Sequence, residues 1–138
     1  MAEERSGCAN QWGCAVTDLG KTFVAALAAR DWDAMREVLD PAVDLRAVTP
    51  GRVWTAAVAD TAIAQVFAVW FPADEVTEVV EGPEMVDVLG RERVDYRFQV
   101  RNAKGNRYLV EQRAYLDGEG DRLARVELIC GGFRRMPR

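Results

Sequence analysis

Arg93-Val94-Asp95-Tyr96-Arg97-Phe98-Gln99-Val100-Arg101 alternates strictly between polar and apolar residues. A period of two marks a strand buried on one face, so Val94, Tyr96, Phe98 and Val100 are predicted to enter a core while Asp95, Arg97, Gln99 and Arg101 face out. Downstream the pattern recurs. Strands are predicted over 92–102, 107–117 and 122–130, the last with Ala124, Val126, Leu128 and Cys130 alternating with Arg125, Glu127 and Ile129. Turns at Lys104-Gly105-Asn106 and Asp117-Gly118-Glu119-Gly120-Asp121 make consecutive strands antiparallel hairpins. Before Gly90, another strand is expected over about 75–89, interrupted at Gly82-Pro83.

Upstream the period changes to that of helices. Thr17 or Asp18 reads as a cap, followed by Phe23, Val24, Leu27 and Ala28 at helical spacing to about Arg30. Asp31 caps a second helix with Trp32, Met35, Val38 and Leu39 on its stripe, which Pro41 ends. Val43, Leu45 and Ala47 then alternate with Asp44, Arg46 and Val48 in a short strand that stops at Thr49-Pro50-Gly51. Ala59, Ala62, Ile63, Val66, Phe67 and Trp70 form the stripe of a third helix, terminated by Pro72. The order predicts an α+β fold: residues 1–16 a flexible leader, and 17–136 one domain with three N-terminal helices packed on a curved antiparallel sheet.

Composition removes whole chemistries. The 138 residues contain no histidine, which excludes a Ser-His-Asp triad, a His-activated cysteine and a His-ligated zinc. Eighteen basic against 22 acidic residues give a net charge of −4, and no dense basic run is present to neutralise phosphates, so nucleic acid is not an expected partner. No stretch approaches the roughly 18 apolar residues of a membrane helix, and Met1 to Cys14 lacks the order of a signal peptide, so a cytoplasmic protein without membrane contact is expected. An odd count of cysteines, Cys8, Cys14 and Cys130, favours reduced thiols over a Cys8–Cys14 disulfide or half of a metal site. No metal or other cofactor is expected.

Phe23-x3-Leu27-x3-Asp31-x2-Ala34-Met35-x3-Leu39, a short strand, Pro50-Gly51, a third helix and a meander ending near Cys130-Gly131-Gly132-Phe133 together resemble the nuclear transport factor 2-like superfamily. The resemblance runs from about Val16 to Arg134, and the segments at Val110-Glu111-Gln112 and Leu128 to Phe133 are most similar to small actinobacterial members. It implies a cone with a cavity between sheet and helices, as in ketosteroid isomerase, SnoaL-like cyclases, scytalone dehydratase and limonene epoxide hydrolase. The isomerase positions for Tyr, base and protonated Asp fall on Phe23, Ala47 and Gln112, so that catalytic set is not retained. The cyclase and dehydratase lean on His, which is missing. Asp95-Tyr96-Arg97 matches the residue types of the epoxide hydrolase, but the alternation puts Asp95 and Arg97 outside the cavity.

The inward set predicted to line a pocket is Phe23, Leu27, Val43, Leu45 and Ala47 from the first elements, with Trp70 from the third helix. The meander adds Tyr96, Phe98, Tyr108, Val110, Gln112, Val126, Leu128 and Cys130, and Trp54 is expected to guard an entrance. An apolar lining with few polar groups suits a small hydrophobic, carbonyl-bearing ligand. Gln112, Tyr96 and Cys130 are the catalytic candidates for an isomerase-, cyclase- or lyase-type step. Gln112 either meets a ligand or pairs with Tyr96, Tyr108 or backbone in a filled core, and Cys130 reads as a small buried hydrophobe or a donor. The alternatives are a non-catalytic binder and a dimerisation or partner module, with a homodimer expected through an outer sheet face carrying Leu109, Tyr115 and Ile129.

Overall fold

Helix α1 spans Gln11–Ala29 in the computed structural model, which describes residues 11–137, with side chains from 18 to 137. It begins six residues before the expected cap at Thr17, so the expected leader is helical over 11–16. Its remaining residues, Cys8 included, and the side chain of Cys14 lie outside those described. Gln11 to Val16 contains one glycine and no proline, which permits helix although no apolar period announces it. Arg30 closes the helix at a left-handed φ of 55°, and Asp31 accepts a 3.1 Å hydrogen bond from the Ala34 amide to cap α2 (Trp32–Val38).

Strand β1 (Leu39–Thr49) starts directly after α2, so Pro41 lies within it instead of merely ending the helix. A hairpin at Pro50-Gly51 leads into β2 (Arg52–Ala56), a strand without a sequence expectation because its five residues are mostly exposed. The third helical segment is continuous but not uniform: α3 (Ala59–Ala62), a wider π turn (Ile63–Phe67) and α4 (Ala68–Trp70). Such turns recur where a helix must re-aim side chains.

The meander is β3 (Val76–Val88), β4 (Arg91–Arg101), β5 (Arg107–Glu119) and β6 (Arg122–Arg135). Sheet order is β2-β1-β6-β5-β4-β3, with β1 parallel to β6 and every other pair antiparallel. Gly82-Pro83 does not break β3. It occupies a bulge on this edge strand, where a proline removes no essential ladder bond and Gly82, at φ +89°, lies so near β4 that a Cβ would come 2.6 Å from the Asp95 carbonyl oxygen. A register shift at the β5–β6 turn puts Leu123, not Ala124, in the core.

One sheet face carries Val94, Tyr96, Phe98, Val100, Val110, Gln112, Ala114, Val126, Leu128 and Cys130, all buried with Phe23, Leu27, Met35, Phe67 and Phe71 of the helical side. Helices cover that face and leave the other to charged residues, the arrangement of an unclosed α+β cone. Beside the cone, Arg30 ties the end of α1 to the start of β3. Its guanidinium donates to the Pro72 carbonyl (2.9 Å), the Ala28 carbonyl (3.2 Å) and Thr77 Oγ1 (2.6 Å).

Candidate functional site

Gln112 is the one polar residue in the fully buried set among the described residues, at 1% exposure. The cross-strand register explains its neighbours: β4 presents Tyr96 opposite it and β6 presents Cys130. Tyr96 donates its hydroxyl to Gln112 Oε1 at 2.7 Å, so the three candidates of the sequence come together in one buried group. Gln112 Nε2 has no partner among the described residues. A buried donor left unpaired costs roughly 1–3 kcal/mol, so this amide is built to meet an acceptor. Burial pushes the Tyr96 hydroxyl well above its ordinary pKa, and the nearby Cys130 thiol adds to the effect, so Tyr96 is a neutral donor at physiological pH and no base.

The other predicted lining residues are placed as follows. Phe23, Leu27, Val43, Leu45, Ala47, Phe98, Val110, Val126 and Leu128 are closed off from solvent in the core, while Tyr108 and Trp54 are half-buried. Phe23 meets Phe67 edge-on at 5.7 Å and Phe98 meets Tyr96 at 5.0 Å, so aromatic rings fill much of the space that the sequence reading assigns to a pocket wall. Open space lies instead beside the β1–β2 turn, in the mouth groove.

There, a groove of about 450 Å³ runs between the β1–β2 turn and the end of β6, with Thr49, Pro50, Trp54, Trp70, Phe133 and Arg134 around Gly131 and Gly132. Trp54 is fixed in place: Nε1 donates to Thr49 Oγ1 at 2.8 Å, its ring meets Trp70 edge-on at 5.7 Å, and the Arg52 guanidinium lies 3.6 Å from its ring centroid. Trp70, 6% exposed, leaves its own Nε1 without a partner among the described residues. No member of the buried group lines the groove, and contacts through β6 and a ring relate the two. Gly132 N donates to Cys130 Sγ at 3.4 Å, and Phe71 touches both Phe133 (5.7 Å) and Phe98 (5.8 Å). Of these groove residues, only Trp54 and Trp70 belong to the set expected from the sequence. Pro50 is far in the chain from Phe133 and Arg134 and shares no local signal with them, although the Pro50-Gly51 turn just before Trp54 hints at an entrance.

Asp95 and Arg97 stand on the outer face. Arg93 donates to both Asp95 oxygens (2.7 and 2.9 Å), while Arg97 pairs with Glu81 at 3.1 Å and with Glu111. They help line a second, largely charged hollow of about 440 Å³ over β3 to β6, which Tyr96 and Gln112 also border, and their carboxylate and guanidinium are engaged with other partners instead of with each other. Glu111 bonds to Arg97 and Arg134, and Arg113 lies 3.9 Å from Asp95. Among the described residues no group of three or more Cys, Asp or Glu could hold a metal, and no helix is long and apolar enough to cross a membrane.

No family model and no curated protein matches the sequence. Solved structures do match in shape. A candidate isomerase from Bacillus subtilis is similar at TM-score 0.73 and 9% identity, over 88% of this chain and 90% of that one. A candidate polyketide cyclase from Xanthomonas campestris pv. campestris is similar at TM-score 0.63 and 17% identity, over 83% and 89%. An LEH-like epoxide hydrolase from M. tuberculosis is similar at TM-score 0.63 and 10% identity, over 84% and 81%. At such identities the likeness is one of fold.

Proposed function

We propose that this chain, which has the nuclear transport factor 2-like fold, is a small-molecule-binding protein whose ligand is apolar, enters at the mouth groove and presents a carbonyl to Gln112. The observation that carries the reading is the unpartnered Gln112 Nε2, a hydrogen-bond donor buried in an apolar core beside a neutral tyrosine. Apolar walls with one or two fixed polar groups are the usual make-up of such sites. The Gln112 amide, its oxygen held by the Tyr96 hydroxyl, suits the stabilisation of an oxyanion in an isomerase- or cyclase-type step. No carboxylate belongs to the buried set of the described residues, so the groups at hand favour binding over proton abstraction.

The test is titration of the protein with 2-acetonaphthone, an apolar aromatic ketone, followed by melting temperature and by NMR of the side-chain amide of Gln112. Saturable binding that shifts this amide, and that weakens about tenfold in Gln112→Leu, is expected for loss of one buried hydrogen bond. Absence of saturable binding up to millimolar ketone, or binding that Gln112→Leu leaves intact, refutes the assignment.

A second reading rests on the outer face. Val53, Val48 and Ile129 are cross-strand neighbours on β2, β1 and β6, at 68%, 49% and 54% exposure, and beside them run Arg113 and Asp95. A two-fold contact between copies of this chain would cover that aliphatic row. Light scattering at micromolar protein should then give a dimer, and a dimer unaffected by Val48→Glu with Ile129→Glu would remove this face from the contact.

A further inference from the structure

The mouth groove combines three features that the Gln112 reading does not use. Its described lining contains no carboxylate, although the whole chain carries a net charge of −4. One guanidinium lines it and a second is stacked on the lining residue Trp54. Arg134 lines it with a side chain that is 60% exposed and tied to Glu111, and Arg52, stacked on Trp54, makes no ion pair among the described residues. The third feature is Trp70 Nε1, an indole donor in a residue more than nine-tenths buried, with nothing among the described residues to accept its proton. Apolar walls and a cationic rim define the complement of an amphipathic anion.

We infer that the groove takes an apolar or aromatic carboxylic acid, its ring system between Trp54, Trp70, Pro50 and Phe133 and its carboxylate against Arg52 and Arg134. A planar guanidinium already held flat on an indole keeps its edge free for two parallel N–H···O bonds and has little freedom left to lose on binding. The exposed position of that pair makes its contribution one of selection between charged and neutral ligands, screened by salt, with the aromatic walls supplying the affinity. This inference rests on the groove being the ligand site proposed above.

Paired titrations with 2-naphthoate and 2-acetonaphthone, which share a ring system and differ in charge, separate the two. The readout is the indole N–H resonances of Trp54 and Trp70, with melting curves confirming that each variant is folded. The acid should bind about tenfold more tightly than the ketone at about 20 mM salt, a preference that shrinks at about 200 mM. Arg52→Gln should abolish the preference and Arg52→Lys should retain part of it. The affinity ratio cancels general damage to the groove. A ketone that binds as tightly as the acid, or a preference that survives Arg52→Gln together with Arg134→Gln, overturns the carboxylate assignment and leaves the groove as a site. Failure of both probes to bind overturns the groove itself.

Discussion

Removing the buried polar pair Tyr96 and Gln112 should make the protein more stable. In the native state one hydrogen bond joins them, at 2.7 Å, and Gln112 Nε2 is unpaired. That bond contributes about 0.5–1.5 kcal/mol net, and the unpaired donor costs roughly 1–3 kcal/mol. Tyr96→Phe deletes the bond and strands Gln112 Oε1 as well, so it should destabilise by about 1–3 kcal/mol. Gln112→Leu removes the stranded donor but leaves the Tyr96 hydroxyl alone, two changes of similar size and opposite sign, and should fall within about 1 kcal/mol of wild type. The double variant Tyr96→Phe/Gln112→Leu has no unpaired group left and nearly the same volume. It should be more stable than wild type by about 1 kcal/mol, or about 4 °C in Tm for a chain of this size. Urea unfolding of the four proteins with a common slope measures the cycle. A double variant less stable than wild type by more than about 1 kcal/mol would refute the reasoning, because the amide would then be satisfied in the free protein. A stabilised one would mark the pair as kept for what it binds.

Tyr96 also sets an alkaline limit. Its hydroxyl stays protonated in the fold above the 10.0 of a free tyrosine, so the folded state holds a proton that the unfolded chain gives up, and stability falls as pH rises past that value. Wild type should lose about 1.4 kcal/mol more than Tyr96→Phe per pH unit in that window, measured by urea midpoints, and parallel profiles would contradict it. At the end of α1, Arg30→Gly and Arg30→Ala should both be less stable than wild type, because both lose the bonds to Pro72, Ala28 and Thr77. Glycine should be the milder by about 1 kcal/mol because φ is 55°, and a reversed order in thermal melts would argue against that backbone strain. Gly132→Ala should destabilise by about 1–3 kcal/mol, since φ is +94° and the new methyl would lie 3.1 Å from Pro50 Cγ; an unchanged Tm would show that the β1–β2 turn gives way freely.

Much of the architecture is legible because one face of the sheet is charged. Alternation alone assigns Tyr96, Phe98, Val110, Gln112, Val126, Leu128 and Cys130 to the interior, and all are buried. The Asp31 cap is legible for the same local reason, a side-chain oxygen three residues before the amide it serves. What escapes is information that no short window contains. The first turns of α1 carry no apolar period, and β2 is a brief exposed edge. The parallel pairing of β1 with β6 joins residues about eighty positions apart, such as Leu45 and Val126. Pattern likewise says which side chains point inward but not whether their volumes leave a hollow, and here Phe23, Phe67, Phe71 and Phe98 occupy much of it. The mouth groove is hidden because its walls come from a turn, a helix end and the last strand.

That β1–β6 pairing has a consequence for how the chain is made. The β1–β2 hairpin is synthesised before β3, β4 and β5, yet its partner strand, Arg122–Arg135, leaves the ribosome only after them. At roughly 5–20 residues per second the hairpin waits several seconds with one edge uncovered. The meander β3 to β5 can pair as it emerges, but the helices cannot be sealed onto a complete sheet until the C-terminal strand slides between β1 and β5. A growing chain therefore stays vulnerable to strand-edge association until β6 has emerged, and removal of this fourteen-residue strand would split the sheet into two unconnected parts instead of trimming its edge.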